Sequence, residues 1–161
     1  MLEAFLKVFV AIVTGIAIAA ASSWITVRLS LRRFRSEKWW EKKVSAYERI
    51  IDAFHDLKRF TSEHMEAEEQ LKEIDDVRDQ QLRELARKGR DEILRASDIG
   101  AFILSKEALS ILAKYEAESG GLLKHKTWYE YLDAKWSITN QYMKEIIAEA
   151  HRDLEKVKHI K

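Results

Sequence analysis

The sequence predicts an all-α protein, with one N-terminal transmembrane helix that continues into a cytoplasmic bundle of about four helices. Three observations lead there. The chain of 161 residues has no proline and only 5 glycines, too few for the many turns of an all-β fold. No segment alternates with the period of two that a half-buried strand needs, whereas several segments repeat at helical spacing. And Val8 to Val27, VFVAIVTGIAIAAASSWITV, is a run of 20 residues without a charge.

That run is the first element. At about 1.5 Å rise per residue it reaches roughly 30 Å, the thickness of a bilayer's hydrocarbon core. A cleaved signal peptide fits less well, because the leading region holds Glu3 and a single Lys7 and the apolar run is long for a signal core. Behind the run come Arg28, Arg32, Arg33, Arg35, Lys38, Lys42 and Lys43, against Glu37 and Glu41. Basic flanks stay on the cytoplasmic side, so the expected topology is a single pass through a bacterial inner membrane with the N-terminus outside. Trp24 takes the place of an interfacial anchor, with Arg28, Arg32, Arg33 and Arg35 at the lipid surface. Within the span Ala11, Gly15, Ala19 and Ser23 recur every four residues. A small-residue stripe of this kind lets helices approach closely, and it predicts a homo-oligomer. The division expected is an anchor over 1–30 and a helical-bundle domain over 31–161.

No glycine or proline falls between Ile16 and Lys88, so the span is expected to run on into the first cytoplasmic helix without a hinge. Trp40, Val44, Tyr47, Ile51, Phe54 and Thr61 form that helix's apolar stripe, widened by Ile50 and Leu57, with Lys58 in one slot. Residues 63–80 hold eight acids against two bases, and the turn is placed near Ile74 to Asp76. A second helix follows from about Val77 to Ile103, on the stripe Leu82, Leu85, Gly89, Ile93, Ala96, Gly100 and Ile103. Its two glycines are expected where another helix comes close, or where the helix is interrupted. Ser105 is a natural N-cap for a shorter helix over Lys106 to Glu118, ended by Gly120-Gly121. Thr127 and Glu130 have the spacing of a capping box that opens a last helix to about Lys158. Its stripe is Trp128, Leu132, Trp136, Thr139, Met143, Ile146, Ala150 and Val157.

Chemistry is harder to find. With no cysteine there is no disulfide scaffold, thiol nucleophile or thiolate metal site. There is no phosphate loop, nucleophile elbow or HExxH, the five histidines are dispersed, and neither metal nor cofactor is expected. A formal net charge of +1 gives no reason to expect direct DNA binding. One loose pattern remains, which resembles that of HEPN-type ribonucleases: an Arg followed four to six residues later by a His, in which, by that resemblance, His handles a ribose hydroxyl proton and Arg stabilises phosphate charge. Arg49 with His55, Arg59 with His64, and Arg152 with His159 fit it. Arg152 and His159 share one face of the last helix and are the candidate catalytic pair.

The span Val8–Val27, the unbroken continuation through Trp39-Trp40 and the Arg152/His159 pair resemble in layout the small accessory membrane proteins of type VI-B CRISPR systems. The resemblance covers the whole chain as layout. It implies a single-pass, pore-forming homo-oligomer with an HEPN-like helical domain, acting in antiviral (phage) defence. The expected partners are membrane lipids, further copies of the chain, and a cytoplasmic protein or RNA-guided effector. The expectation is thus a non-enzymatic membrane effector. Two alternatives stand beside it: a membrane-tethered HEPN-like ribonuclease, and a non-catalytic scaffold recruiting a partner through its acidic tip.

Overall fold

A computed structural model describes the backbone of residues 2–124 and 127–158, and the side chains of residues 15, 22–31, 34–122 and 127–156. Helix is the only regular secondary structure among the described residues. The order is α1 (Leu2–Glu69), α2 (Asp76–Ile99), a 3₁₀ turn Gly100–Phe102, α3 (Lys106–Gly120), a 3₁₀ turn Gly121–Lys124, and α4 (Trp128–Lys158). The chain divides into two compact units, Met1–Trp39 and Trp40–Lys161.

In the first unit the described apolar side chains lie bare. Trp24, Ile25, Val27, Leu29, Leu31 and Phe34 are all more than half exposed. The Arg28 guanidinium sits 4.9 Å from the Trp24 ring centroid, and the Lys38 ammonium lies over Phe34. Ala11 and Ala19, and the side chains of Arg32 and Arg33, lie outside the described side chains; Gly15, Ser23, Arg28 and Arg35 are exposed. Among the described residues no helix is long and apolar enough to cross a membrane, and most side chains of the Val8–Val27 run are outside the described ones.

The second unit is the bundle. The later half of α1 contributes Tyr47, Ile50, Phe54 and Leu57, and α2 contributes Leu82, Ala86 and Ile93. Helix α3 adds Ala108, Leu112 and Tyr115, and α4 adds Leu132, Tyr142, Ile146 and Ala150. Rings lock the centre: Phe54 meets Tyr115 edge-on at 4.8 Å, and Tyr115 meets Tyr142 at 5.8 Å. Trp40, first in the expected α1 stripe, is 39% exposed, so the buried face is centred on Tyr47, Ile50, Phe54 and Leu57.

The caps follow the sequence closely. Ser105 Oγ accepts from Ala108 N at 3.0 Å, Thr127 Oγ1 from Glu130 N at 3.2 Å, and Asp75 caps α2. The boundaries differ in three places, one being that α3 runs on to Gly120, past the expected Glu118. Helix α2 stops at Ile99 rather than Ile103, because at Gly100 the hydrogen bonding tightens to 3₁₀. The α1–α2 turn begins at Gln70, before the expected Ile74–Asp76. There Lys72 N donates to Ala67 O at 2.9 Å and Leu71 N to Glu68 O at 3.2 Å, the pairing of a Schellman motif. The left-handed position of that motif is held by Leu71, with φ of 53°. No glycine marks this turn, which is why the sequence placed it late.

Gly89 decides how closely α2 lies on α1. A Cβ there would stand 2.7 Å from the Ala53 carbonyl oxygen, a backbone atom that cannot turn aside. Gly100 is different, since the nearest atoms to its would-be Cβ belong to the Leu104 side chain.

Two substitutions test this account by chemical denaturation. Gly89→Ala is expected to destabilise the bundle by about 1–3 kcal/mol, because it forces the two helix backbones apart. Leu71→Gly is expected to stabilise it by roughly 0.5–1 kcal/mol, because the side chain is 94% exposed and only its left-handed strain is lost.

Candidate functional site

A cleft of about 660 Å³ opens between α1, α2 and α4. Helical spacing builds its walls. Arg83, Arg87 and Arg90 fall at i, i+4 and i+7 on α2 and share one face. Trp128, Tyr131 and Lys135 fall at i, i+3 and i+7 on α4, and Leu57, Phe60 and Thr61 come from α1. Trp128 and Tyr131 stack at 5.4 Å with a 16° interplanar angle, and Phe60 stands edge-on to Trp128 at 6.4 Å. One wall is thus made of rings and another of guanidinium groups. No carboxylate is among the described residues that line the cleft.

The four cations are not equivalent. Arg83 is drawn to Asp79 at 2.6 Å, and Arg87 to Glu84 at 2.8 Å and more loosely to Asp91 at 3.5 Å. Arg90 and Lys135 have no carboxylate partner among the described residues. Lys135 is also 6% exposed, which is rare for an ammonium. Its Nζ donates to Ser119 Oγ and lies 5.1 Å from the Tyr115 ring centroid. Burial, and then the neighbouring Arg90 charge, pull its pKa down from 10.5 to about 8. A smaller cavity of about 260 Å³ shares Arg90, Tyr131 and Lys135 with the cleft and has Glu116 on its wall. Glu116 Oε1 is buried there without a hydrogen-bond partner.

Elsewhere, buried charge is matched. Asp153 accepts from Lys43 Nζ at 2.9 Å and from the Tyr47 hydroxyl at 2.8 Å. Burial and that carboxylate push the Tyr47 phenol well above its ordinary value. Glu149 accepts from Ser105 Oγ at 2.8 Å and from Arg152 Nη2 at 2.9 Å. The Tyr142 hydroxyl donates to Glu118 at 2.7 Å, which raises its pKa to about 12.

The three Arg–His patterns do not assemble into sites. Arg49 pairs with Glu92, and His55 is exposed. Arg59 pairs with Glu63, while His64 sits between the Phe60 carbonyl oxygen at 2.8 Å and Asp79 at 2.9 Å. Arg152 pairs with Glu149, and His159 lies outside the described residues. In the acidic tip, Glu63 takes Arg78 Nε at 2.9 Å, so part of its charge holds the α1–α2 hairpin. No group of histidines and carboxylates among the described residues could hold a metal ion.

No protein-family model matches the chain, no curated protein matches it, and no solved structure matches it. The cleft was not among the sites expected from the sequence, although its spacing was present in RELARKGR and in WYEYLDAK. Lys135 reads there as an ordinary polar flank beside Leu132 and Trp136, and only packing turns it inward.

Lys135→Met is expected to raise the unfolding free energy at pH 7 by about 1–2 kcal/mol, by removing a desolvated charge. In the native protein the folded lysine gives up its proton near pH 8, while the unfolded chain holds it to the usual 10.5. Between those values the unfolded state binds more protons, so stability rises with pH. The cation facing the ammonium is Arg90, the ring on it is Tyr115, and the acid on the adjoining cavity is Glu116. Thermal melts over that pH window check the sign, and the methionine variant should lack this part of the rise.

Proposed function

We propose that this chain is a membrane-anchored, homo-oligomeric effector that acts without catalysing a reaction, and that its helical bundle is a binding module for an anionic ligand. The observation that carries the binding role is the pair Arg90 and Lys135, two cations lining one cleft with no carboxylate among its described lining residues. A buried cation without a counter-charge is costly to the fold, and an anion entering the cleft offsets that cost. The anchor rests on the uncharged run Val8–Val27, the basic flank behind it, and the exposed Trp24, Ile25, Val27 and Leu29. Such apolar side chains favour lipid or a second copy of the helix over water. Ala11, Gly15, Ala19 and Ser23 supply the stripe for association.

In this reading the ligand biases the bundle, and α1, which continues from Leu2 to Glu69, couples it to the anchor. The layout shared with the type VI-B CRISPR accessory proteins favours antiviral defence as the setting and loss of membrane potential as the output. No observation favours the ribonuclease alternative over it.

The test expresses the full chain in bacteria. It is expected in the membrane fraction after alkaline carbonate extraction, as an oligomer in mild detergent. Gly15→Leu or Ala19→Leu is expected to abolish assembly and toxicity together. Arg90→Glu is expected to leave membrane association and assembly intact while suppressing depolarisation in a potential-dye assay. Recovery in the soluble fraction, a monomer at every concentration, or full depolarisation by the Arg90 variant overturns the proposal.

A further inference from the structure

Resting on the anionic-ligand reading above, we infer that the cleft between α1, α2 and α4 is a nucleoside phosphate site, with phosphate on Arg90 and Lys135 and the base against the ring wall of Phe60, Trp128 and Tyr131.

Four features select that class. The first is charge. Arg83 and Arg87 already share their charge with Asp79, Glu84 and Asp91, whereas Arg90 and Lys135 have no carboxylate partner among the described residues. Buried Lys135 and Arg90, exposed on the arginine face of α2, together attract more than a single negative charge, and phosphate supplies it through charge-assisted hydrogen bonds. The second is burial. Lys135 is 94% removed from solvent, counting from its 6% exposure, so the anion it meets is held inside the cleft and not on the surface.

The third feature is the opposite wall. A bare inorganic anion makes no use of three rings that approach one another at 5.4 Å and 6.4 Å. A planar, polarisable body does, because every nucleobase has a π-face that stacks on aromatic side chains and guanidinium planes. The fourth is size. About 660 Å³ falls inside the range of small-molecule clefts. A lipid headgroup shares the phosphate chemistry. It would leave the ring wall facing a flexible glyceryl chain, whereas a base fills it.

The experiment is calorimetric titration of the purified full chain in mild detergent. The probes are ATP without added divalent cation, adenosine, inorganic tripolyphosphate, and glycerol 3-phosphate as a headgroup mimic. ATP is expected to bind about tenfold or more tightly than any of the other three, with affinity falling as salt rises. Arg90→Glu and Tyr131→Ala are each expected to weaken ATP about tenfold or more. Lys144→Ala, at an exposed position outside the cleft, should bind as the native protein does. Circular dichroism and melting of each variant confirm the fold. Lys135→Met gives a second variant whose bundle is expected to remain stable while ATP binding is lost.

Tripolyphosphate or glycerol 3-phosphate binding as tightly as ATP overturns the nucleoside assignment and leaves the anionic-ligand reading standing. Binding of none of the four probes overturns the nucleoside assignment, and if ligand-free protein also depolarises membranes with Arg90 reversed, the broader proposal falls separately.

Discussion

The bundle depends on how closely α2 can lie against α1. At Gly89 the missing side chain leaves the Ala53 carbonyl oxygen within 2.7 Å of where a Cβ would be. No other residue type permits that contact without moving a backbone. The consequence reaches the cleft, because Ala86 and Arg90 flank Gly89 on the same helix and both line it. The approach at one glycine sets the height of the arginine face of α2 over Phe60 and Thr61 on α1. The hairpin is then fixed at its end by Glu63 with Arg78 and by His64 with Asp79.

Buried charge is handled in two ways within this small domain. Where α4 meets the start of the bundle, Asp153 and Glu149 are satisfied by Lys43, Tyr47, Ser105 and Arg152. Such pairs specify register, since a slip of one residue would strand a carboxylate in the core. Around the cleft the matching stops. Lys135 has a hydroxyl and a ring for company but no carboxylate bonded to it among the described residues, and the charge that acts on it is another cation, Arg90. A helix bundle selected for stability alone would place methionine or leucine at this position. The contrast between the two regions is the physical reason to look for function at one and not at the other.

The turn between α1 and α2 illustrates a different compromise. Leu71 occupies a left-handed position that glycine would fill without strain, and its side chain reaches solvent. The Schellman hydrogen bonds, with Asp75 capping α2 just beyond, hold it there. Local geometry is therefore over-determined by the pairing around it, and propensity yields.

Much of this protein was written locally. Ser105 and Thr127 announce their helices because a cap needs only a side-chain oxygen and the next three amide groups. Tyr47, Phe54, Ile93 and Ile146 declare the buried faces of their helices because helical spacing alone puts each on its helix's apolar stripe. The uncharged run and its basic flank are likewise readable as a string, since transfer from water depends on composition. Tertiary structure decided what spacing cannot express: which of many exposed-looking cations turn inward, and which of them find a carboxylate. Lys135 and Lys43 look alike in sequence, yet one ends beside Arg90 and the other against Asp153. A counter-charge comes from a different helix, dozens of residues away, and only the assembled bundle brings it near or leaves it absent.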